Sequence, residues 1–378
     1  MIITEKRIGI VGGGQLGRML AQAARGMGFT TIVLDPTPRG PAAQVADREL
    51  VGDFKNADAV RELAKEVDLL TFEIESANAE ALHELAKQGM PVHPSAQTLA
   101  IIKDKLAQKT FLRKAGIPVA DFMGVESVED IHAAGKKFGY PFLLKARFDA
   151  YDGRGNALIK SISDIEEGMK KLEGRKLYVE KFVPFSKELA VVAVRGMSGE
   201  VATYPVVETI HRNNICHIVI APAQIPQEAQ VRAGKLAAQV LEKLGGVGVF
   251  GIEMFLAKNG DVLVNEIAPR VHNSGHHTIE ACDVSQFENH IRAVTGLDIG
   301  STRMKVPAAV MVNILGERSG KAEVTGLEEA LKIPGVAVHV YGKLETRPER
   351  KMGHITATGK TVEEALEKAT RARKHITI

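Results

Sequence analysis

Cysteine is almost missing from these 378 residues: only Cys216 and Cys282 occur. Neither sits in a C-x-x-C pair or beside a metal-spaced histidine. A disulfide framework and a structural zinc site are therefore excluded as organising principles. The scarcity fits a reducing compartment. A large charge of one sign is missing too. There are 49 Lys and Arg against 46 Asp and Glu, a net charge of +3, too mild to argue for a nucleic-acid partner. No stretch approaches the roughly 18 uninterrupted apolar residues of a membrane span. The opening MIITEKRIGIVGGG carries charge where a secretion signal needs an apolar run. Together these absences predict a cytoplasmic protein with no nucleic-acid partner and no membrane span. Internal repeats and low-complexity segments are absent as well. What remains is an ordinary globular composition, 45% hydrophobic and 25% charged, at a length that predicts two or three domains.

The first hundred residues alternate strand and helix. Residues 7–11, 30–35 and 69–72 read as strands, and residues 15–27 and 77–87 as helices. That alternation predicts a parallel sheet with helices on both faces. Ser95 caps a further helical stretch, and Gly116-Ile117-Pro118 breaks the chain. An N-terminal α/β domain over 1–104 follows. In the middle, residues 127–138 read as a helix opened by Ser127 and Glu129, near a capping-box pattern. Strands are expected over 142–146, 177–181, 188–195, 201–207 and 215–220, and a long helix over 228–244. A hairpin joins 249–257 to 262–267. This mixture predicts an α+β domain over 105–300, with a central subdomain at about 115–182. A small C-terminal domain over 301–378 holds strands at 306–313, 336–341 and 354–358 and a helix over 361–374 with regular Glu/Lys pairs.

Gly12-x-Gly14-x-x-Gly17 follows a strand and opens a helix, and Asp35 ends the next strand. This is the dinucleotide-binding fingerprint in its expected context. The helix N-terminus offers free N–H groups, so the turn predicts a phosphate or anion site. A plain tight turn in a doubly wound sheet accounts for the same residues. The step to NAD is weaker, because nothing downstream resembles a hydride-transfer domain. An NAD oxidoreductase is kept as a minority reading.

The strongest deduction concerns the hairpin. Asn259-Gly260 predicts a two-residue type I′ loop. Lys258 then faces Asp261, Phe255 faces Val264, and Glu253 faces Glu266. The two glutamates share a face, with Cβ atoms about 5 Å apart, among Phe255, Val262 and Val264. Like charges so placed are destabilising, and in an apolar setting one is pushed to take a proton. A divalent cation removes the conflict. Carboxylates holding Mg²⁺, with nucleotide phosphates completing its shell, suit phosphoryl transfer. A solvated surface pair is the plain alternative. Asn265 faces away by alternation, unless a bulge turns it. Nearby, Lys145 ends a strand, and the Gly-rich segment from Ala150 to Asn156 could fold over phosphates and exclude water. Glu180-Lys181-Phe182-Val183 could offer backbone groups to an adenine edge, and Glu188 could accept ribose hydroxyls. Each of these signals is poor alone.

Their order is not. Lys105, Lys145, YDGRGN, EKFV, Glu188, the Glu253/Glu266 pair and NEIAPRVHNSGHHT together resemble the ATP-grasp enzymes. The full pattern, from GGGQLGRM through TFEIE to Tyr341-Gly-Lys343 and Arg350-Lys-Met-Gly-His354, resembles the N5-carboxyaminoimidazole ribonucleotide synthetases of purine biosynthesis. It covers essentially the whole chain. The resemblance implies an ATP-grasp fold, with a Rossmann-like pre-ATP-grasp domain before it and a small C-terminal domain completing the grasp. It implies Lys105 and Lys145 on the ATP phosphates, under a covering loop of Ala150, Tyr151, Asp152, Gly153, Arg154, Gly155 and Asn156. Glu180, Lys181, Phe182 and Val183 would hold adenine, and Glu188 and His211 would line the nucleoside side. Asn265 and Glu266 would lie beside the phosphates, and Glu253 and Glu266 would hold Mg²⁺, with two ions expected. The family's 5-aminoimidazole ribonucleotide would meet Gln15, Leu16, Glu73, Tyr151, Asp152, Arg154, Arg270, His272, Asn273, Lys343 and Arg350. On that reading the glycine turn serves the ribonucleotide, not a dinucleotide. The family often carries Gly where Ala150 stands. A homodimer is also implied.

The implied chemistry is attack of bicarbonate on the γ-phosphate, giving ADP and carboxyphosphate, which the substrate amine then takes up. Lys145 would neutralise charge and Arg270 would grip the carboxyphosphate bidentately. His272 or Asp152 would manage protons. Two other readings stay open: a formate-using relative acting on glycinamide ribonucleotide, and a nucleotide-binding regulatory protein that kept the fold.

Overall fold

The computed structural model of the protein describes residues 5–149 and 155–378. The chain opens with β1 (Arg7–Val11), α1 (Gln15–Gly26), β2 (Thr30–Asp35), β3 (Arg48–Val51), α2 (Ala57–Lys65), β4 (Leu69–Phe72) and α3 (Ala79–Lys87). The four strands are all parallel, in the order β3-β2-β1-β4. Runs such as Ile8–Val11 and Thr31–Leu34 are buried along their whole length, as a strand covered on both faces must be. Ile10, Leu20 and Val33 join one core, while Val11, Leu34, Leu63 and Phe72 join a second.

Two helices then lead out, α4 (Ala96–Lys103) and α5 (Lys105–Lys114). Ser95 caps the first and Asp104 the second. A small antiparallel layer follows: β5 (Phe122–Val125), α6 (Val128–Phe138), β6 (Phe142–Ala146), β7 (Asn156–Ile159), α7 (Ile165–Lys171) and β8 (Leu177–Lys181), with strand order β5-β8-β6-β7. Helix α6 has a capping box, made by Ser127 with Asp130 rather than Glu129.

The remaining chain builds one long sheet. Its members are β9 (Phe185–Arg195), β10 (Val201–Thr203), β11 (Val207–Arg212), β12 (Ile215–Ala221), β13 (Gly248–Ala257), β14 (Val262–Ala268) and β15 (Ala308–Leu315). Between them come α8 (Gln227–Leu244), α9 (Thr278–Ala281) and α10 (Gln286–Thr295). The tail adds β16 (Gly320–Lys321), α11 (Leu327–Leu331), β17 (Val336–Val340), β18 (Glu345–Thr346), β19 (Lys351–Gly359) and α12 (Val362–His375). The order is β14-β13-β9-β11-β12-β15-β19-β17, with β10 against β9. Strands β17 and β19 therefore extend the sheet that carries the glutamate hairpin, while β16 and β18 pair as a separate two-stranded sheet. No helix among the described residues is long and apolar enough to cross a membrane.

Two expectations need correction. The strand expected over 201–207 is two strands, β10 and β11, separated at Pro205, which lacks the N–H a ladder needs. Helix α10 was not anticipated. Eight of its ten residues are buried, including Asn289 and His290, so no polar face marks it as a helix.

Candidate active site

The hairpin pairs Glu253 with Glu266, but not by the expected route. Its loop has three residues, 258–260. Gly260 N–H donates to the Ala257 carbonyl at 2.9 Å, and Ala257 N–H to the Asp261 carbonyl at 2.8 Å. Gly260 carries φ of +89°, as this longer loop requires. Counting from Ala257 and Asp261 alone would set Glu253 opposite Asn265. A β-bulge lies between Glu253/Glu266 and Met254/Val264. It absorbs Asn265 as the extra residue and returns Glu266 to its place. Phe255 consequently pairs with Leu263, not Val264. Val262 and Val264 pack in the core with Met254 and Leu256, not beside the glutamates. The Asn265 side-chain oxygen is buried with no hydrogen-bond partner among the described residues.

Cations converge on the pair. Asp104 caps α5 and is gripped by Arg147. From that fixed end, Lys105 and Lys109 project one turn apart on one helix face. Lys105 ion-pairs with Glu266 and lies 3.7 Å from Glu75. Lys109 meets Glu180 at 2.6 Å, both side chains only 2% exposed. The other Glu180 oxygen is 3.3 Å from Lys145 on β6. Burial, then Glu266, push Glu253 up to about 7. Burial opposes the charge of Glu266 as well, but Lys105 outweighs it and holds this carboxyl below its ordinary value. The same contest holds Lys145 above its ordinary value, with Glu180 prevailing over burial. For Lys109 burial prevails, and its ammonium is lowered. Lys109 and Glu75 were not anticipated. The i,i+4 spacing of Lys105 and Lys109 was a visible signal for the first. Glu75 closes the TFEIE segment, which did not show that it would meet Lys105 and Arg270.

The signature segment after β14 lines the same cleft. Arg270 donates to Glu75 at 2.9 Å. The His272 ring is held by Ser274 at 2.8 Å through Nδ1, and its Nε2 lies 3.5 Å from Glu253. Burial, then Arg270, hold His272 well below the usual histidine range. Asn273 and Asn313 exchange side-chain hydrogen bonds of 3.0 and 2.7 Å. On the next strands His211 ion-pairs with Glu188, and this partner raises the His211 value against the effect of burial. Lys181 and Phe182 are exposed at the end of β8, and Val183 is half-buried. Asn156 faces Lys145 across β6 and β7, and the Gly155 carbonyl accepts from Ala146 at 2.8 Å. Ala150, Tyr151, Asp152, Gly153 and Arg154 lie outside the described residues.

Part of the glycine turn is taken up by the chain itself. Gly14 and Gly17 donate to Glu73 at 2.7 and 3.2 Å, and Gly13 donates to Asp35 at 2.7 Å. Burial raises Glu73 above the ordinary carboxylate value. Gln15 is half-buried and Leu16 belongs to the core. Lys343 lies close enough to feel Glu73, and burial followed by Arg350 lowers it to about 8. Its ammonium donates to the Lys351 carbonyl at 2.7 Å, and Arg350 donates to the Glu345 carbonyl at 2.7 Å. Gln44 ties Gly342 to the N-terminal sheet at 2.7 Å. Glu73, Arg270 and Lys343, from three parts of the chain, thus meet in one electrostatic neighbourhood.

Among the described residues no cluster of three or more His, Cys, Asp or Glu is placed to hold a metal. Two facing carboxylates nonetheless suit Mg²⁺, which typically takes one or two protein carboxylates plus phosphate oxygens. Burial and then Glu266 raise Glu253, and a bound cation would offset both. A groove of about 870 Å³ between β10, α8 and residues 299–303 contains none of these groups, so size alone does not locate the site.

Comparison with known proteins agrees along the chain. Residues 5–103 match the ribonucleotide synthetase pre-ATP-grasp domain, 110–287 the ATP-grasp domain, and 309–368 the phosphoribosylaminoimidazole carboxylase C-terminal domain. The N5-carboxyaminoimidazole ribonucleotide synthetase of Thermotoga maritima is 49% identical with a TM-score of 0.90, over 98% of this chain and 99% of that one. The Aspergillus clavatus N5-carboxyaminoimidazole synthase, solved with ADP and 5-aminoimidazole ribonucleotide, is 38% identical with a TM-score of 0.91, over 99% of both chains. The Bacillus subtilis N5-carboxyaminoimidazole ribonucleotide synthase is 38% identical over 96% of this chain and 94% of its own. The Candida albicans phosphoribosylaminoimidazole carboxylase is 45% identical over 96% of this chain, which spans only 65% of its length. The chain belongs to the N5-carboxyaminoimidazole ribonucleotide synthetase family of ATP-grasp ligases.

Proposed function

We propose that the protein carboxylates 5-aminoimidazole ribonucleotide to N5-carboxyaminoimidazole ribonucleotide, using ATP and bicarbonate and releasing ADP and phosphate. One observation carries this reading: Glu253 faces Glu266 across the hairpin, with Lys105 against Glu266 and Arg270 and His272 at the same cleft. Lys105 and Lys145 are each paired with a carboxylate, and triphosphate oxygens can take over those charge-assisted bonds. Mg²⁺, held by Glu253 and Glu266, would supply the further neutralisation that phosphoryl transfer needs. Bicarbonate attacks the γ-phosphate, ADP leaves, and carboxyphosphate remains. Arg270, oriented by Glu75, suits its oxygens by its planar fork. The amine nitrogen then attacks the carboxyl carbon, phosphate leaves, and one amine proton must be accepted. A neutral His272 can take it; Asp152 is the other candidate. Lys343 and Arg350 suit the ribonucleotide phosphate, with Glu73 near the same substrate. We place the protein in the cytoplasm as a homodimer, on the scarcity of cysteine and the family resemblance.

The test is ADP release with Mg²⁺-ATP and bicarbonate, with and without 5-aminoimidazole ribonucleotide. Release that requires both bicarbonate and the amine supports the reading. Release that ignores the amine, or follows formate and glycinamide ribonucleotide instead, overturns it.

A further inference from the structure

Gln286 is fully buried at the start of α10. Its carboxamide addresses both polar atoms of one peptide residue. Oε1 accepts from His272 N–H at 2.9 Å, and Nε2 donates to the His272 carbonyl at 2.7 Å. His272 is extended there, with φ −127° and ψ 151°. The side chain therefore serves His272 as a neighbouring strand would, in a segment that has left the sheet. The same Nε2 lies 3.3 Å from His276 Nδ1. Gln286 is itself held, because its own N–H donates to Thr278 Oγ1 at 3.0 Å. Packing closes the arrangement from behind: a Cβ on Gly275 would stand 2.6 Å from the Gln286 carboxamide carbon. Only glycine admits that approach.

We propose that Gln286 is the positioning residue for His272. It sets the main chain, Ser274 sets the ring through Nδ1, and Nε2 is left aimed at the cleft beside Glu253. The role needs one donor and one acceptor at a fixed span. Glutamate would bring a second acceptor against the His272 carbonyl, and methionine would bring neither group. The proposal rests on the carboxylation reading, in which His272 acts at the amine step.

The experiment compares Gln286→Met and Gln286→Glu, each in the wild-type and His272→Ala backgrounds. Readouts are amine carboxylation, ADP release and thermal melting. Misplacing a catalytic group by about 1 Å costs on the order of 100-fold. Gln286→Met should therefore cut amine carboxylation roughly 10- to 100-fold while the KM for ATP holds within about twofold. ADP released per amine carboxylated should rise, because carboxyphosphate is then lost to water. In the His272→Ala background the same substitution should change the residual rate less than about twofold, since coupled residues are not additive. An equal fold-loss in both backgrounds, a parallel rise in the KM for ATP, or no loss at all would overturn the proposal. Should Gln286→Met fail to fold, Gln286→Glu decides by the same readouts. If the wild-type protein shows no amine-dependent ADP release, the functional reading fails first and this assignment with it.

Discussion

Two regions of this molecule advertise phosphate binding, and their polar groups are held in different ways. At the N-terminal turn, Gly13, Gly14 and Gly17 present backbone N–H groups at a helix start, yet Asp35 and Glu73 from neighbouring strand ends already take them. The donors are fixed in the main chain, Glu73 is buried and Asp35 is half-buried, so these three bonds also hold the shape of the turn. In the hairpin cleft the charges sit on side chains. Lys105, Lys109 and Lys145 are shared among Glu75, Glu180 and Glu266, and Glu253 is left strained at about 7. The pairs of Lys105 and Lys145 can be exchanged for phosphate oxygens, whereas Lys109 and Glu180 are buried together. A glycine-rich turn shows where an anion could fit; the counter-charges around it decide whether one is invited.

That contrast can be broken by substitution. The largest effect should come from Glu266→Gln, which removes a charge from the cleft and leaves its shape. ADP release should fall roughly 100- to 1000-fold, with the melting temperature nearly unchanged. Near-normal turnover would end the case for the pair. Lys109→Met is expected to strike both activity and fold. It leaves Glu180 with Lys145 at 3.3 Å as its remaining partner, and breaking a buried pair on one side costs about 3–5 kcal/mol. Denaturant midpoints would register this, and a loss below about 1 kcal/mol would mean that Lys145 alone satisfies Glu180. On the architectural side, Glu73→Gln should cost stability first, about 1–3 kcal/mol for an unmet buried N–H, while the KM for ATP holds. If ATP affinity falls instead, the two regions are not separable in the way described.

The smallest effect is a matter of pH. Lys343 is lowered from its ordinary 10.5 to about 8. Its folded value lies below its unfolded one, so it is charged below about 8 and neutral above. A role at the ribonucleotide phosphate predicts a KM for that substrate rising several-fold between about pH 7 and pH 9.5. Lys343→Arg, which stays charged, should show a flatter profile. By linkage the neutral lysine is the better tolerated form, so its contribution to stability improves over the same rise. Binding and folding should therefore move in opposite directions.

Much of the fold was legible because its segments carry unambiguous local signals. The runs at 7–11, 30–35, 69–72, 142–146 and 177–181 are apolar and bounded by breakers, and each appears as the strand expected. Helix α10 was not legible, because Asn289 and His290 are buried by partners distant in sequence: Tyr204 for one and Thr71 for the other. The hairpin shows the limit most clearly. Two errors cancelled there, since the loop is longer by one residue than expected and the bulge at Asn265 restores the count. Pairing of the glutamates was foreseen, but their neighbours were not. Glu75 and Gln286 were not legible for a common reason. A single Glu or Gln has the same local appearance whether it is solvated or turned inward.

By itself the amino-acid order determined the strands and most helices, the caps at Ser95 and Ser127, and the family to which the chain belongs. These rest on interactions within a few residues or on motifs unbroken along the chain. Tertiary structure alone decided that Glu73 would accept from Gly14 and Gly17, that Lys109 would be buried on Glu180, and that Gln286 would hold His272. Those outcomes depend on which buried polar group finds which partner across long loops, and desolvation penalises every arrangement in which a partner is missing.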